Sequence, residues 1–314
     1  MKKIVFAILL LILSATLLIY VFIPGKIVIA ESRVVSTTSI GFDTCLHKLD
    51  KWKQWWPGAS KPTGNDSLFV YDGFTYKLSA VYTDGAAIRT ESGNTSAEIR
   101  IQVIPYNRDS ITAEWRTVFQ SGNNPVTRIS NNLFARKLKK SMNIIFDSLC
   151  HFAGKTENIY GYPIERTTFT EVTLIAYRFK SFIYPTTATI YNAVSQLKQY
   201  LISQGATEKY YPMMNIKQAD SSHYETMIAI SIDRMIPESR DFFISKMVPM
   251  KDRFLTTDVS GGPASIKKAH DAIEKYMKDH SLFDPAIPFE ILVTDRSKIT
   301  DTAAWKTKIF YPSM

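Results

Sequence analysis

The second half of the chain repeats an order of elements, and that repeat constrains the fold more than any other feature. TEVTLIAYRFKSF reads as a strand, and TTATIYNAVSQLKQYLISQG as a helix with Ile190, Val194, Leu197 and Leu201 on one face and Gly205 as its C-cap. Two strands follow, near 211–217 and 223–232. The order then recurs. FISKMVPMKDRFLTTDVSG is a strand region, and PASIKKAHDAIEKYMKDH is a helix that aligns Ile266, Ala269, Ile273 and Met277, with Pro263 in its first turn. PFEILVTD and AAWKTKIFYP supply the last pair of strands. Strand-helix-strand-strand, twice, predicts an α+β layout with helices on one face of an antiparallel sheet. Two such units meet naturally about a pseudo-twofold axis with a cleft between them.

The first half has a different pattern. KIVIAESRVV is a strand, and TSIGFDTCLHKLDKWKQWW is helical, with Phe42, Cys45, Leu46 and Leu49 on one face and Pro57-Gly58 as its stop. Strands are expected near 67–72, 74–82, 86–91, 96–105 and 110–120, separated by turns such as Asp72-Gly73 and Asp84-Gly85. Ile99, Ile101 and Val103 share a face of one strand. NNLFARKLKKSMNIIFDSLCHF is then a long amphipathic helix with Leu138, Met142, Ile145 and Leu149 in its stripe. The polar GKTENIYGYP, around 154–163, separates a domain at 26–155 from one at 160–314.

Ahead of both, Ile4 to Ile23 is an uncharged, mostly apolar run that follows Lys2 and Lys3 and ends at Pro24-Gly25. Its length matches the roughly 30 Å hydrocarbon core of a bilayer. Residues 1–25 are therefore read as a single-pass anchor, N-terminus inside and the body extracytoplasmic. Cleavage after Val28-Ile29-Ala30 is the alternative, but it would cut into the first strand. The net charge of +9 comes from basic residues scattered among acids, which describes a solvated surface rather than a nucleic-acid stripe. Cys45 and Cys150 are the only cysteines; one disulfide and two buried thiols both fit, and their spacing suits no zinc site. There is no Gly-x-Ser-x-Gly elbow, phosphate loop, dinucleotide fingerprint or His-Glu-x-x-His. No metal and no cofactor is expected.

Two resemblances follow from these segments. The first domain resembles the SRPBCC superfamily, the START/polyketide-cyclase-like helix-grip fold. The strand before Ser36, DTCLHKLDKWKQWWPG, the run of antiparallel strands and the long helix carry the likeness. It implies a curved sheet wrapped around that helix and an apolar cavity, with Trp115, Tyr76, Tyr82 and Trp55 as candidate lining. Within LDKWKQWWPG, the three tryptophans plug the core, rim the pocket or touch a membrane. The second domain is similar to the GyrI-like effector-binding domain, carried mainly by PFEILVTDRSKITDTAAWKTKIFYP and by the two helices. The chain departs from that family where VSGGPAS replaces an aromatic- and imidazole-bearing turn.

The second resemblance implies that Glu290 projects into the central cleft and meets a cationic ligand, with Tyr177, Tyr191 and Tyr224 as candidate cleft aromatics. His270, beside Lys267, Lys268 and Asp271, reads as a solvent-facing residue, and His47 near Asp50 as an accidental pair. The expectation is a membrane-anchored protein that binds a hydrophobic or cationic small molecule without catalysis of its own. Its partners are that molecule and the membrane, not nucleic acid. A hydrolase or cyclase using Glu290 as general acid/base and an envelope adaptor without ligand are the alternatives.

Overall fold

A computed structural model describes residues 2–63, 66–170, 172–220, 222–247 and 249–314. The fold is mixed α+β, as expected, and the chain separates into two compact units, Met1–Ile159 and Tyr160–Met314.

The first unit begins with α1 (Lys2–Phe22), an apolar helix of 21 residues with no buried residue. At 1.5 Å per residue it is about 32 Å long, enough to cross a bilayer. Then come β1 (Lys26–Val35), α2 (Ser39–His47), α3 (Leu49–Trp55) and six strands: β2 (Ala59–Thr63), β3 (Asp66–Tyr71), β4 (Phe74–Tyr82), β5 (Gly85–Ser92), β6 (Thr95–Asn107) and β7 (Ser110–Gln120). All seven form one antiparallel sheet in the order β1-β7-β6-β5-β4-β3-β2. Asp72 and Gly73 both take positive φ, 49° and 76°, which suits the two-residue turn between β3 and β4. Gly85 must be glycine: at φ 146°, an added Cβ would lie 1.9 Å from the Ile101 carbonyl oxygen.

The long helix α4 (Pro125–Ala153) starts where the sequence places its signals. The Asn124 side chain accepts from Val126 N at 2.8 Å, and Pro125 occupies the first turn, where no amide partner is needed. Leu138, Met142, Ile145, Phe146 and Leu149 are buried against the sheet, as are Ile99, Ile101 and Val103 from β6. A short helix, α5 (Thr156–Tyr160), leads out.

One expected helix is two. Lys48 is extended, at φ −96° and ψ 111°, and breaks TSIGFDTCLHKLDKWKQWW into α2 and α3. The break has a polar cause. The last carbonyls of a helix lack intrahelical partners, and a buried indole N–H needs an acceptor. Folding α3 back meets both needs: Trp52 Nε1 donates to Leu46 O at 2.7 Å and Trp55 Nε1 to Cys45 O at 3.1 Å.

The second unit contains β8 (Glu165–Phe169), β9 (Val172–Ser181), α6 (Thr187–Ser203), β10 (Met213–Gln218), β11 (Tyr224–Ser231), β12 (Phe242–Met247), β13 (Met250–Ser260), α7 (Pro263–Asp279), β14 (Phe289–Leu292) and β15 (Lys306–Pro312). Its sheet runs β12-β9-β11-β10-β14-β15-β13-β8, all antiparallel. The order is symmetric about the β10–β14 seam: β9-α6-β10-β11 matches β13-α7-β14-β15. The strand before each repeat crosses over, so β8 pairs with β13 and β12 with β9. The sequence pattern shows β8 and β12 only as stretches adjoining the repeats, because strand partners are chosen by distant residues.

Helix α6 buries Ile190, Val194, Leu197 and Leu201 against Ile175, Ile228 and Ile230. Helix α7 buries Ile266, Ala269, Ile273 and Met277 against Leu255, Val259 and Ile309. Strand alternation sends the intervening residues, among them Leu174, Met213, Ala229, Phe254 and Phe289, into a separate apolar cluster on the face away from the helices.

Candidate functional site

The seam that relates the two repeats is short. β10 and β14 pair at only two positions, Met213 with Ile291 and Met214 with Glu290. Glu290 thus stands at the middle of the sheet, on the helix face, in a cleft of about 1330 Å³ walled by the start of α6 and by α7. It is a carboxylate in a poor place for one: only 8% of its surface is exposed. Such a charge must be paired and hydrogen-bonded.

Its partners come from two other elements. Arg296, in the loop after β14 and itself 8% exposed, brings Nη2 to Glu290 Oε2 at 3.3 Å. The guanidinium is held from behind. Nη2 donates to Thr307 Oγ1 at 2.8 Å, and the group lies 4.9 Å from the Trp305 ring centroid. Tyr191, on α6, fixes the loop by accepting from Arg296 N at 2.8 Å and donating to Thr294 O at 2.9 Å. On the other side, His270 Nε2 lies 3.3 Å from Glu290 Oε1.

His270 extends the network. Its Nδ1 is 2.8 Å from the Tyr311 hydroxyl, which is 3.1 Å from Glu274 Oε1. With both imidazole nitrogens protonated, every contact has a donor: Nε2–H to Glu290, Nδ1–H to Tyr311, and the tyrosine O–H to Glu274. With a single proton on Nε2, the one tyrosine proton serves Nδ1 or Glu274 but not both. Burial, then the charge of Glu274 and its hydrogen bond, push the Tyr311 pKa upward, and Asp284 and Asp271 add to the effect. Tyr184, at the cleft wall, is also raised, by burial first and then by the charge of Glu290.

The residues expected from the sequence are dispersed. Glu290 lies at the base of the cleft, and Tyr191 braces the Arg296 loop beside it. Tyr224 packs edge-on against Tyr184, with ring centroids 5.6 Å apart. Tyr177 packs with Phe179 and Phe242 in the apolar layer under α6. In the first unit, Trp52, Trp55 and Trp56 form one aromatic cluster with Phe69. Trp55 is buried there, its indole held by Cys45 O. Tyr76 is fully buried with its hydroxyl 2.7 Å from Ser141 Oγ, and Trp115 Nε1 donates to Asn143 Oδ1 at 3.3 Å. Tyr82 lies on the outside, 40% exposed, with the Arg100 guanidinium 3.8 Å from its ring centroid. Cys45 and Cys150 are free thiols.

His270 corrects the sequence reading: it faces Glu290 and Tyr311, not solvent alone. Arg296 and Tyr311 were also missed. Arg296 sits in DRSK, which reads as a polar turn, and Tyr311 in a strand where alternation cannot tell a cleft residue from a core one. Among the described residues, no group of three or more His, Cys, Asp or Glu side chains has the arrangement of a metal site.

Scans of family profiles and of curated proteins return no match. Solved structures do show likeness. The EcmrR C-terminal domain is 14% identical, with a TM-score of 0.42, over 49% of this chain and 98% of its own. A protein from Listeria innocua described as a hydrolase is 12% identical, with a TM-score of 0.38, over 48% of this chain and 91% of its own. The ZhuI aromatase/cyclase from Streptomyces sp. R1128 is 6% identical, with a TM-score of 0.33, over 41% of this chain and 93% of its own.

Proposed function

We propose that the second unit binds a small organic cation with an apolar body, without catalysis of its own, in a protein held to a membrane by α1. The observation that carries this reading is the charge of the cleft around Glu290. Five carboxylates, Glu225, Asp271, Glu274, Asp284 and Glu290, line it against Arg178, Lys217, Lys267 and Arg296. A cleft with low-dielectric walls focuses such a field. Trp305 and Tyr184 also line the cleft; the Trp305 ring already carries the Arg296 guanidinium, so Tyr184 is the aromatic that would meet a bound cation. Arg296, pinned by Thr307, serves as a fixed counter-charge that orients the Glu290 carboxylate.

The test is calorimetric titration of the whole protein, in detergent, with a panel of quaternary ammonium and aromatic cations. Glu290→Gln is expected to weaken binding at least about tenfold, equivalent to about 1.4 kcal/mol. Asp284→Asn, at an exposed position, should weaken binding in the same direction and leave the melting temperature of the free protein unchanged. Equal affinity for cations and their neutral isosteres in all three proteins would sink the proposal.

A further inference from the structure

The cleft does not end at the sheet. The pairing with β14 stops at Met214, and by register residues 216–218 of β10 face the stretch before β14, which begins at Phe289. That stretch is Ala286 to Pro288, and Asn215 Nδ2 donates to Pro288 O at 2.8 Å. A second hollow of about 240 Å³ lies on the face of the sheet away from α6 and α7. Its wall is mostly apolar, with Leu174, Met213, Met227, Met247 and Phe254, and Asn215, Ser245 and Lys246 as its polar members. The two hollows share Met214, Asn215, Met227, Ala286, Ile287 and Phe289, so only this strip of residues separates them.

Size and chemistry constrain the occupant. An apolar cavity of about 150 Å³ stays dry and accepts benzene. The hollow is larger and is lined by methionines, whose unbranched side chains adapt to irregular guests.

We infer that the ligand is a single-chain amphiphile whose cationic head sits in the cleft and whose tail passes the β10–β14 seam into the methionine-lined hollow. The inference rests on the cation-binding reading of the cleft and adds the chemistry of the rest of the molecule. Ala229 is the residue to change: it is 4% exposed, lies on β11 and lines only the second hollow.

The experiment is titration of the whole protein with n-alkyltrimethylammonium salts from ethyl to decyl, below their micelle concentrations. Wild type should gain up to about fourfold in affinity per methylene, the factor for a fully buried CH₂, and level off once the hollow is full. Ala229→Leu should flatten the series and leave the ethyl salt's affinity unchanged. Met247→Trp, on the edge strand β12, should do the same and serves if the first variant does not fold. If short salts bind and lose affinity in Glu290→Gln, yet the series is flat in wild type, the tail site is wrong and the cleft reading stands. A rise that survives both hollow variants also overturns it. If the short salts do not bind and Glu290→Gln changes nothing, the cleft reading fails and the amphiphile falls with it.

Discussion

Glu290 and Arg296 are a buried pair, and buried pairs are asymmetric in their energetics. Removing one partner of such a pair costs about 3–5 kcal/mol, because the other is left charged in a poor solvent, whereas replacing both is close to neutral. Arg296→Ala should therefore lower unfolding free energy by about 3 kcal/mol. The double variant Glu290→Gln/Arg296→Met should come within ~1 kcal/mol of wild type in urea titrations. Additive losses would show that the two side chains do not act as a pair. A second residue-scale prediction concerns pH. Burial pushes Cys45 up from 9.0 to about 11 and Cys150 to about 12, and Tyr76 from 10.0 to about 12. Folded values above unfolded ones mean that the native state holds these protons more tightly. Their stabilisation is complete below about pH 9 and is lost as pH rises through 11 and 12. The urea midpoint should fall between pH 9 and 11, and less steeply in Cys45→Ala. Glu290 was legible at this scale, because a lone carboxylate inside PFEIL is conspicuous. Its partners were not: His270 lies 20 positions away, and nothing local marks the approach.

Among the elements, the α2–α3 corner and the crossed strands carry most of the consequence. Trp52 is fully buried, closes the corner with its indole hydrogen bond and stacks on Trp56. Trp52→Ala should cost about 3–5 kcal/mol, read as a shift in the denaturant midpoint without loss of cation binding by the second unit. The helix periodicity of α4, α6 and α7 and the alternation in β6 were plain from the sequence, since one face of each is buried by a single neighbour. The corner was not, because its cause is a pair of carbonyls that need donors from residues six and ten positions on. Strand exchange is also invisible locally. Since β8 and β12 each complete the sheet of the opposite repeat, residues 160–240 expressed alone should lack cooperative unfolding. A sharp thermal transition for that fragment would show that the repeats fold independently.

For the whole molecule, the prediction concerns its attachment to a membrane. α1 is joined to the first unit by more than the chain. Ser121 donates from its amide to Gly25 O at 2.9 Å and from its hydroxyl to Pro24 O, and the Arg128 guanidinium lies 4.6 Å from the Tyr20 ring centroid. A chain beginning at Pro24 keeps the Ser121 contacts. It should stay in the supernatant after ultracentrifugation without detergent, whereas the full chain should pellet with membranes; equal partitioning would remove the anchor from the proposal.

What the sequence determined alone was everything that depends on short-range periodicity: the apolar run, the amphipathic helices, the alternating strands and the duplicated order in the second half. These patterns follow from 3.6-residue and 2-residue repeats facing a single buried side. Tertiary structure decided what needs distant groups to meet. It broke one helix in two, exchanged β8 and β12 between the repeats, and left β10 and β14 paired at only two positions. It also gathered Arg296, His270 and Tyr311 around Glu290. A buried charge is stable only where the fold delivers counter-charge and hydrogen bonds from elsewhere, and no stretch of sequence contains that delivery.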